Sequence, residues 1–177
     1  FGWEFPPHIA GGLGTACYGL TQGLAKNQVD VTFVMPKASG EEDQRKIKIV
    51  NASDVEWNTY YAQQVQESKE LSFIEVNSQL IPYVGLDDYF NVINQIESGL
   101  FEKQIPGEKR KYLFSGTYGQ NLMEEVAHYA IVAAQIATNE QFDLIHAHDW
   151  LTFRAGIAAK KISGKPLVIH VHATEYD

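Results

Sequence analysis

Three short segments of this chain hold the residue types that do chemistry. The first is Pro7-His8-Ile9-Ala10-Gly11-Gly12-Leu13-Gly14. Glycines at such a turn let backbone approach a ligand closely, and the free N–H groups of a helix starting there attract anions such as a diphosphate. The same glycines can equally serve a plain strand-to-helix turn. Their G-G-x-G spacing is neither the G-x-G-x-x-G of dinucleotide sites nor the G-x-x-x-x-G-K-[ST] of P-loops. The second segment is His146-Ala147-His148-Asp149-Trp150. On a strand, His146 and His148 can share a face, but nothing nearby in sequence supplies a third ligand, so a metal is disfavoured. Asp149 is a candidate N-cap for a following helix, a role compatible with substrate contact. Trp150 reads as core. The third is His170-Val171-His172-Ala173-Thr174-Glu175. There is no G-x-S-x-G nucleophile elbow, and Cys17 lies in an apolar helix stripe, so a nucleophilic triad does not emerge.

These segments must be held by something, and the pattern around them says what. Leu13, Ala16, Cys17, Leu20 and Leu24 form one stripe of an amphipathic helix. Residues 29–35, Val-Asp-Val-Thr-Phe-Val-Met before Pro36, read as a strand. Residues 38–45 read as a polar loop, and residues 46–50 and 71–76 as shorter strands. Residues 79–116 are irregular, punctuated by Pro82, Gly85, Gly99, Pro106 and Gly107. The run Lys109-Arg110-Lys111 there reads as a solvated loop or as a site for an anionic ligand. A helix is predicted over residues 118–139, a buried strand over 142–147, a helix over 150–162 stopped by Gly164, and a last strand over 166–171. Helices alternating with doubly buried strands imply an α/β fold: a Rossmann-like, doubly wound, mainly parallel sheet with right-handed crossovers. In such sheets ligands bind beyond the carboxyl ends of the strands, which is where all three segments fall.

The 177 residues suit one domain with a substantial core. Apolar residues at 45% and charged residues at 20% exclude wholesale disorder. A net charge of −8 disfavours a nucleic-acid binder, which needs a basic stripe to meet phosphates. No apolar run is long enough to span a membrane, and the one cysteine can make neither an internal disulfide nor a structural zinc site alone. A cytoplasmic protein is the expectation. Both ends abut segments that read as structured, so the chain is expected to be a fragment of a longer one, cut in or just after a first strand.

Taken together, Trp3-Glu4-Phe5-Pro6-Pro7 running into Gly11-Gly12-Leu13, then His146-Ala147-His148-Asp149-Trp150, then His170-Val171-His172-Ala173-Thr174-Glu175, resemble the N-terminal domain of GT-B glycosyltransferases. The resemblance is to the glycogen and starch synthase group and the retaining transferases related to it. It covers the whole chain, residues 39–116 contributing little. It implies that residues 1–177 form the acceptor-side half of an enzyme that moves a sugar, glucose in the synthases, from a nucleotide-sugar donor to a glucan or other glycan, without a metal or other cofactor. It further implies that Asp149 and His172 contact the transferred sugar, and that Gly11, Gly12 and Leu13 lie beside the donor diphosphate. Glu4, with His148 and Glu175 nearby, falls on the acceptor side or behind the reacting groups. The nucleotide site itself would belong to the protein's own C-terminal domain, and half of the cleft alone is expected to be inactive. Two positions differ from glycogen and starch synthases: Ile9 stands where they carry Lys, and Ala173 where many carry Asn. The His-Ala-Thr-Glu ending is closer to the broader related family, whose acceptors are varied. The competing reading is a non-catalytic Rossmann-like module for a nucleotide or sugar phosphate. An NAD-dependent enzyme is disfavoured by the absent fingerprint.

Overall fold

The computed structural model describes residues 1–58 and 109–172. In chain order these form helix α1 (Gly12–Lys26), strands β1 (Thr32–Met35) and β2 (Lys48–Asn51), one 3₁₀ turn (Ala52–Asp54), the short strands β3 (Trp57–Asn58) and β4 (Lys109–Arg110), helix α2 (Leu122–Asn139), strand β5 (Ile145–His148), helix α3 (Trp150–Ser163) and strand β6 (Leu167–His170). The strand expected over residues 71–76 and the site candidate Glu175 lie outside the described residues.

Parallel pairing joins β1 to β2, with Phe33 opposite Ile49, and β5 to β6, with His148 opposite His170. Between the two pairs runs the N-terminal segment. Gly2 N donates to Val34 O at 2.9 Å on one side. On the other, the Phe1 amine donates to His146 O at 2.6 Å and His148 N donates to Phe1 O at 3.1 Å. The result is a mixed α/β, Rossmann-like arrangement, and the chain start occupies the place expected of a first strand.

Alternation along β1 decides which helix covers which face. Phe33 and Met35 pack with Phe5 and Cys17 under α1, whereas Val34 joins Trp3, Tyr129, Val132, Leu151 and Ala155 under α2 and α3. Helix α2 is buried along most of its length, from Glu125 to Ala134, because α3 and the sheet enclose it. The Tyr129 hydroxyl, fully buried in this core, lies 2.7 Å from Val34 O and 3.1 Å from Gly2 O, tying the helix to both strands. Gly156 allows α3 to lie close on β5 and β6: a Cβ there would stand 2.9 Å from both Ala147 Cβ and Leu167 Cδ1.

Several sequence expectations shift. The first strand begins at Thr32 rather than residue 29 because Val29 N closes the end of α1 on Leu24 O. The long helix starts at Leu122, after a turn at residues 118–121, and the buried strand starts at Ile145, since Leu144 is half exposed. Lys109 and Arg110 are not loop but pair antiparallel with Asn58 and Trp57. Gly164 is the helix stop, left-handed at φ +69°.

Candidate functional site

The carboxyl ends of the strands gather the sequence-predicted residues around two buried or half-buried carboxylates. Glu4, only 5% exposed, follows the central segment. Its Oε2 accepts from Ala10 N at 2.7 Å and its Oε1 from Gly14 N at 3.0 Å. The carboxylate therefore clamps the glycine-rich turn from behind, one bond on each side of Gly11-Gly12-Leu13. Gly14 is needed for this approach, because a Cβ there would overlap Ile9 Cγ2 and press on Glu4. Gly11 is the N-cap of α1 without a side-chain cap, and the positions where Cβ atoms of Gly11 and Gly12 would stand are open space. The first turn of α1 thus presents bare backbone, the property an anion site requires.

Asp149 joins β5 to α3 and does not cap with its side chain, as its sequence position had suggested. Its Oδ1 instead accepts from His172 N at 2.7 Å, across to the end of β6. Its backbone stands at φ +60°, ψ 170°, a region occupied almost only by glycine. The neighbours enforce it: Asp149 N donates to His170 O at 2.9 Å, and Thr152 donates through N to Asp149 O at 3.0 Å and through Oγ1 to His148 O at 2.8 Å.

His172 is half buried, and its Nε2 lies 2.8 Å from His148 Nδ1. His148 is buried, and burial first, with the nearby Phe1 amine and the other imidazoles, holds its pKa down to about 3. His172 is also shifted down, by burial and by His170, against a raising effect of Asp149. Both rings are accordingly neutral at physiological pH and act as hydrogen-bonding groups. Cys17, fully buried on α1, reaches this cluster: its Sγ and one nitrogen each of His148 and His172 lie within 4.8 Å of one another. That contact places the first half of α1 beside the ends of β5 and β6. Burial pushes the thiol pKa up to about 11, so it stays protonated there.

Sequence reasoning missed two features. Tyr118 lies beside Glu4 and Asp149; burial first and then those two charges raise its pKa to about 12, keeping the hydroxyl neutral. No local pattern marks it, since it lies in an irregular turn far along the chain. The second is the imidazole cluster. Viewed on β5 alone, His146 and His148 lacked a third ligand; pairing with β6 brings His170 and His172 onto the same face, so that His146, His148 and His170 converge. The alternating histidines of both segments were the available signal. Trp150, expected in the core, is 41% exposed at the start of α3.

The strand ends thus set the uncapped start of α1 near a carboxylate that holds the His172 backbone. Residues 1–177 match the family described as the starch synthase catalytic domain, and the chain belongs to that family. It is 24% identical over 181 residues to an uncharacterized glycosyltransferase of Methanocaldococcus jannaschii, covering 98% of this chain but 30% of that protein. The chain thus spans about a third of the length of the curated relative it matches. No solved structure matches it significantly. Among the described residues, no helix is long and apolar enough to cross a membrane.

Proposed function

We propose that this chain is the acceptor-side, N-terminal domain of a retaining GT-B glycosyltransferase, one doubly wound half of a cleft that its own C-terminal domain completes. The donor is a nucleotide-sugar, with glucose the leading sugar, and the acceptor a glucan or another glycan. The observation that carries the reading is the Asp149–His172 pair, held at the same strand ends as the glycine turn. In this reading the backbone N–H groups of Gly11, Gly12 and Leu13 meet the departing diphosphate, whose charge grows as the C1–O bond breaks. Asp149 stands where positive charge develops on the sugar. His172, whose Nε2 faces His148, holds a sugar hydroxyl through its other nitrogen. The acceptor hydroxyl bonds to C1 as the bond from C1 to the diphosphate oxygen breaks, and its proton passes to the departing diphosphate. No metal is assigned to these steps: helix-start amides take the charge-stabilising role a cation would otherwise fill. The cytoplasm, where nucleotide-sugars are made, is the proposed location, and the unpaired Cys17 suits it.

The test is turnover of ADP-glucose and UDP-glucose by the full-length protein, with and without glycogen primer, alongside His172→Ala. Loss of one hydrogen bond to the reacting sugar costs about 1–3 kcal/mol, or roughly 5–150-fold in kcat, with little change in melting temperature. A destabilised but fully active variant refutes the role of His172. A protein that binds a nucleotide-sugar and turns over none is a binding module instead.

A further inference from the structure

Beyond the transfer reaction, we propose that His146, His148 and His170 form a binding site for a borderline transition-metal cation, Zn²⁺ being the ion their chemistry fits best. One nitrogen from each ring lies within 4.8 Å of the other two. Two imidazole nitrogens on one tetrahedral ion, each about 2.0–2.1 Å from it, stand about 3.3 Å apart. His146 Nε2 and His170 Nδ1 already stand 3.2 Å apart.

The strands fix this spacing. His146 and His148 are two residues apart on β5 and so face the same way, and the parallel register sets His170 directly opposite His148. His146 and His170 are stacked with an 11° interplanar angle, so their lone pairs converge only after the rings turn about χ2, which is a soft torsion for histidine. Among the described residues, the ring hydrogen bonds of these three histidines run to other imidazoles and not to a carboxylate. Imidazoles gathered without a carboxylate are a poor site for hard cations such as Mg²⁺ or Ca²⁺, which take oxygen ligands. They are good ligands for Zn²⁺, with an open fourth position.

A second trio, Cys17 with His148 and His172, shares His148. It is the weaker choice because Cys17 is fully buried and protonated, whereas His146 and His170 are half buried and leave an ion a way in. An ion on His148 bears directly on the orientation of His172, its hydrogen-bond partner.

Calorimetric titration of the tag-free full-length protein with ZnCl₂, and separately with CoCl₂ followed by absorbance, tests the site. One ion per chain is expected, saturating at submillimolar concentration. Partners that merely orient a ligand are worth about 10–100-fold in affinity, so His146→Ala and His170→Ala should each weaken binding about 100-fold or more, while His8→Ala leaves it unchanged. If either alanine variant melts early, His146→Gln and His170→Gln fill the space without an imidazole nitrogen and should show the same loss. Failure to saturate, or affinity unchanged in the His146 and His170 variants, overturns the site. So does a thiolate-to-cobalt charge-transfer band that disappears in Cys17→Ser, because it puts the ion in the other trio.

Discussion

Comparing two substitutions of Asp149 isolates the backbone strain at the junction of β5 and α3. Asp149→Gly and Asp149→Ala both delete the carboxylate and its 2.7 Å bond from His172 N, so both lose the same charge-assisted interaction. They differ in a Cβ. At an ordinary position glycine is less stable than alanine by about 0.5–1 kcal/mol, because it has more freedom to lose on folding. At φ +60°, ψ 170° a residue with a Cβ carries strain of about 1–3 kcal/mol that glycine does not. The balance reverses the usual order and leaves Asp149→Gly ahead by about 1 kcal/mol. For a domain of this size that is about 2–4 °C in melting temperature. Thermal and urea unfolding of the two variants measure it, with Asp149→Asn as the third point: it keeps an acceptor for His172 N and carries the same Cβ strain as the parent residue, so it should melt closest to the parent. Transferase activity should be lost equally in the glycine and alanine variants, since neither has the carboxylate. If Asp149→Ala is as stable as Asp149→Gly, or more so, the turn is not strained.

Two further outcomes follow from the same groups. Glu4→Gln replaces one accepting oxygen with an NH₂ that faces either Ala10 N–H or Gly14 N–H, leaving a buried donor unmet at about 1–3 kcal/mol; the melting temperature should fall and the KM for the nucleotide-sugar should rise more than that for the acceptor, whereas a direct acceptor contact predicts the opposite split. His148, with its pKa near 3 when folded against 6.5 for the free side chain, makes the fold acid-sensitive: the unfolded chain takes up a proton that the folded chain refuses, so its contribution is complete above about pH 6.5 and falls by about 1.4 kcal/mol per pH unit towards pH 3, and urea unfolding across this range should show a steeper loss in the parent than in His148→Gln, in which the other lowered histidines still contribute.

The helices and the parallel strands were legible because burial imposes periodicity. Leu13, Cys17 and Leu24 report α1, and Leu151, Ala155 and Ala158 report α3, from their spacing alone. At Lys109, Arg110 and Asp149, where expectation failed, the deciding contact was made by residues distant in sequence. Lys109 and Arg110 look like a solvated run, and only Trp57 and Asn58 make them a strand. Asp149 has the residue type and position of an N-cap, but His172 N, 23 residues on, claims its carboxylate. Trp150 follows a buried strand yet lies at the rim, since Leu151 and Ala155 take the inward face of α3. The three candidate segments stand out in the sequence because each is local. Their mutual geometry, and the imidazole cluster in particular, depends on the β5–β6 register, which no single segment encodes.

Glu4 and Asp149 solve one physical problem in the same way. Each is a carboxylate just beyond a segment hydrogen-bonded into the sheet, and each accepts from backbone N–H groups of a neighbouring loop. The Glu4 clamp takes the amides of Ala10 and Gly14, which flank the turn, and not those of Gly11, Gly12 and Leu13 within it. An anion approaching the turn therefore meets N–H dipoles first, with the negative charge of Glu4 lying behind them. In the proposed reaction Asp149 offers its carboxylate to the sugar, positioned by the His172 peptide N–H. In that reaction, a diphosphate gaining negative charge is met by the helix-start N–H groups and a sugar ring gaining positive charge by a carboxylate, which is the electrostatic order that heterolysis of a glycosyl–phosphate bond requires.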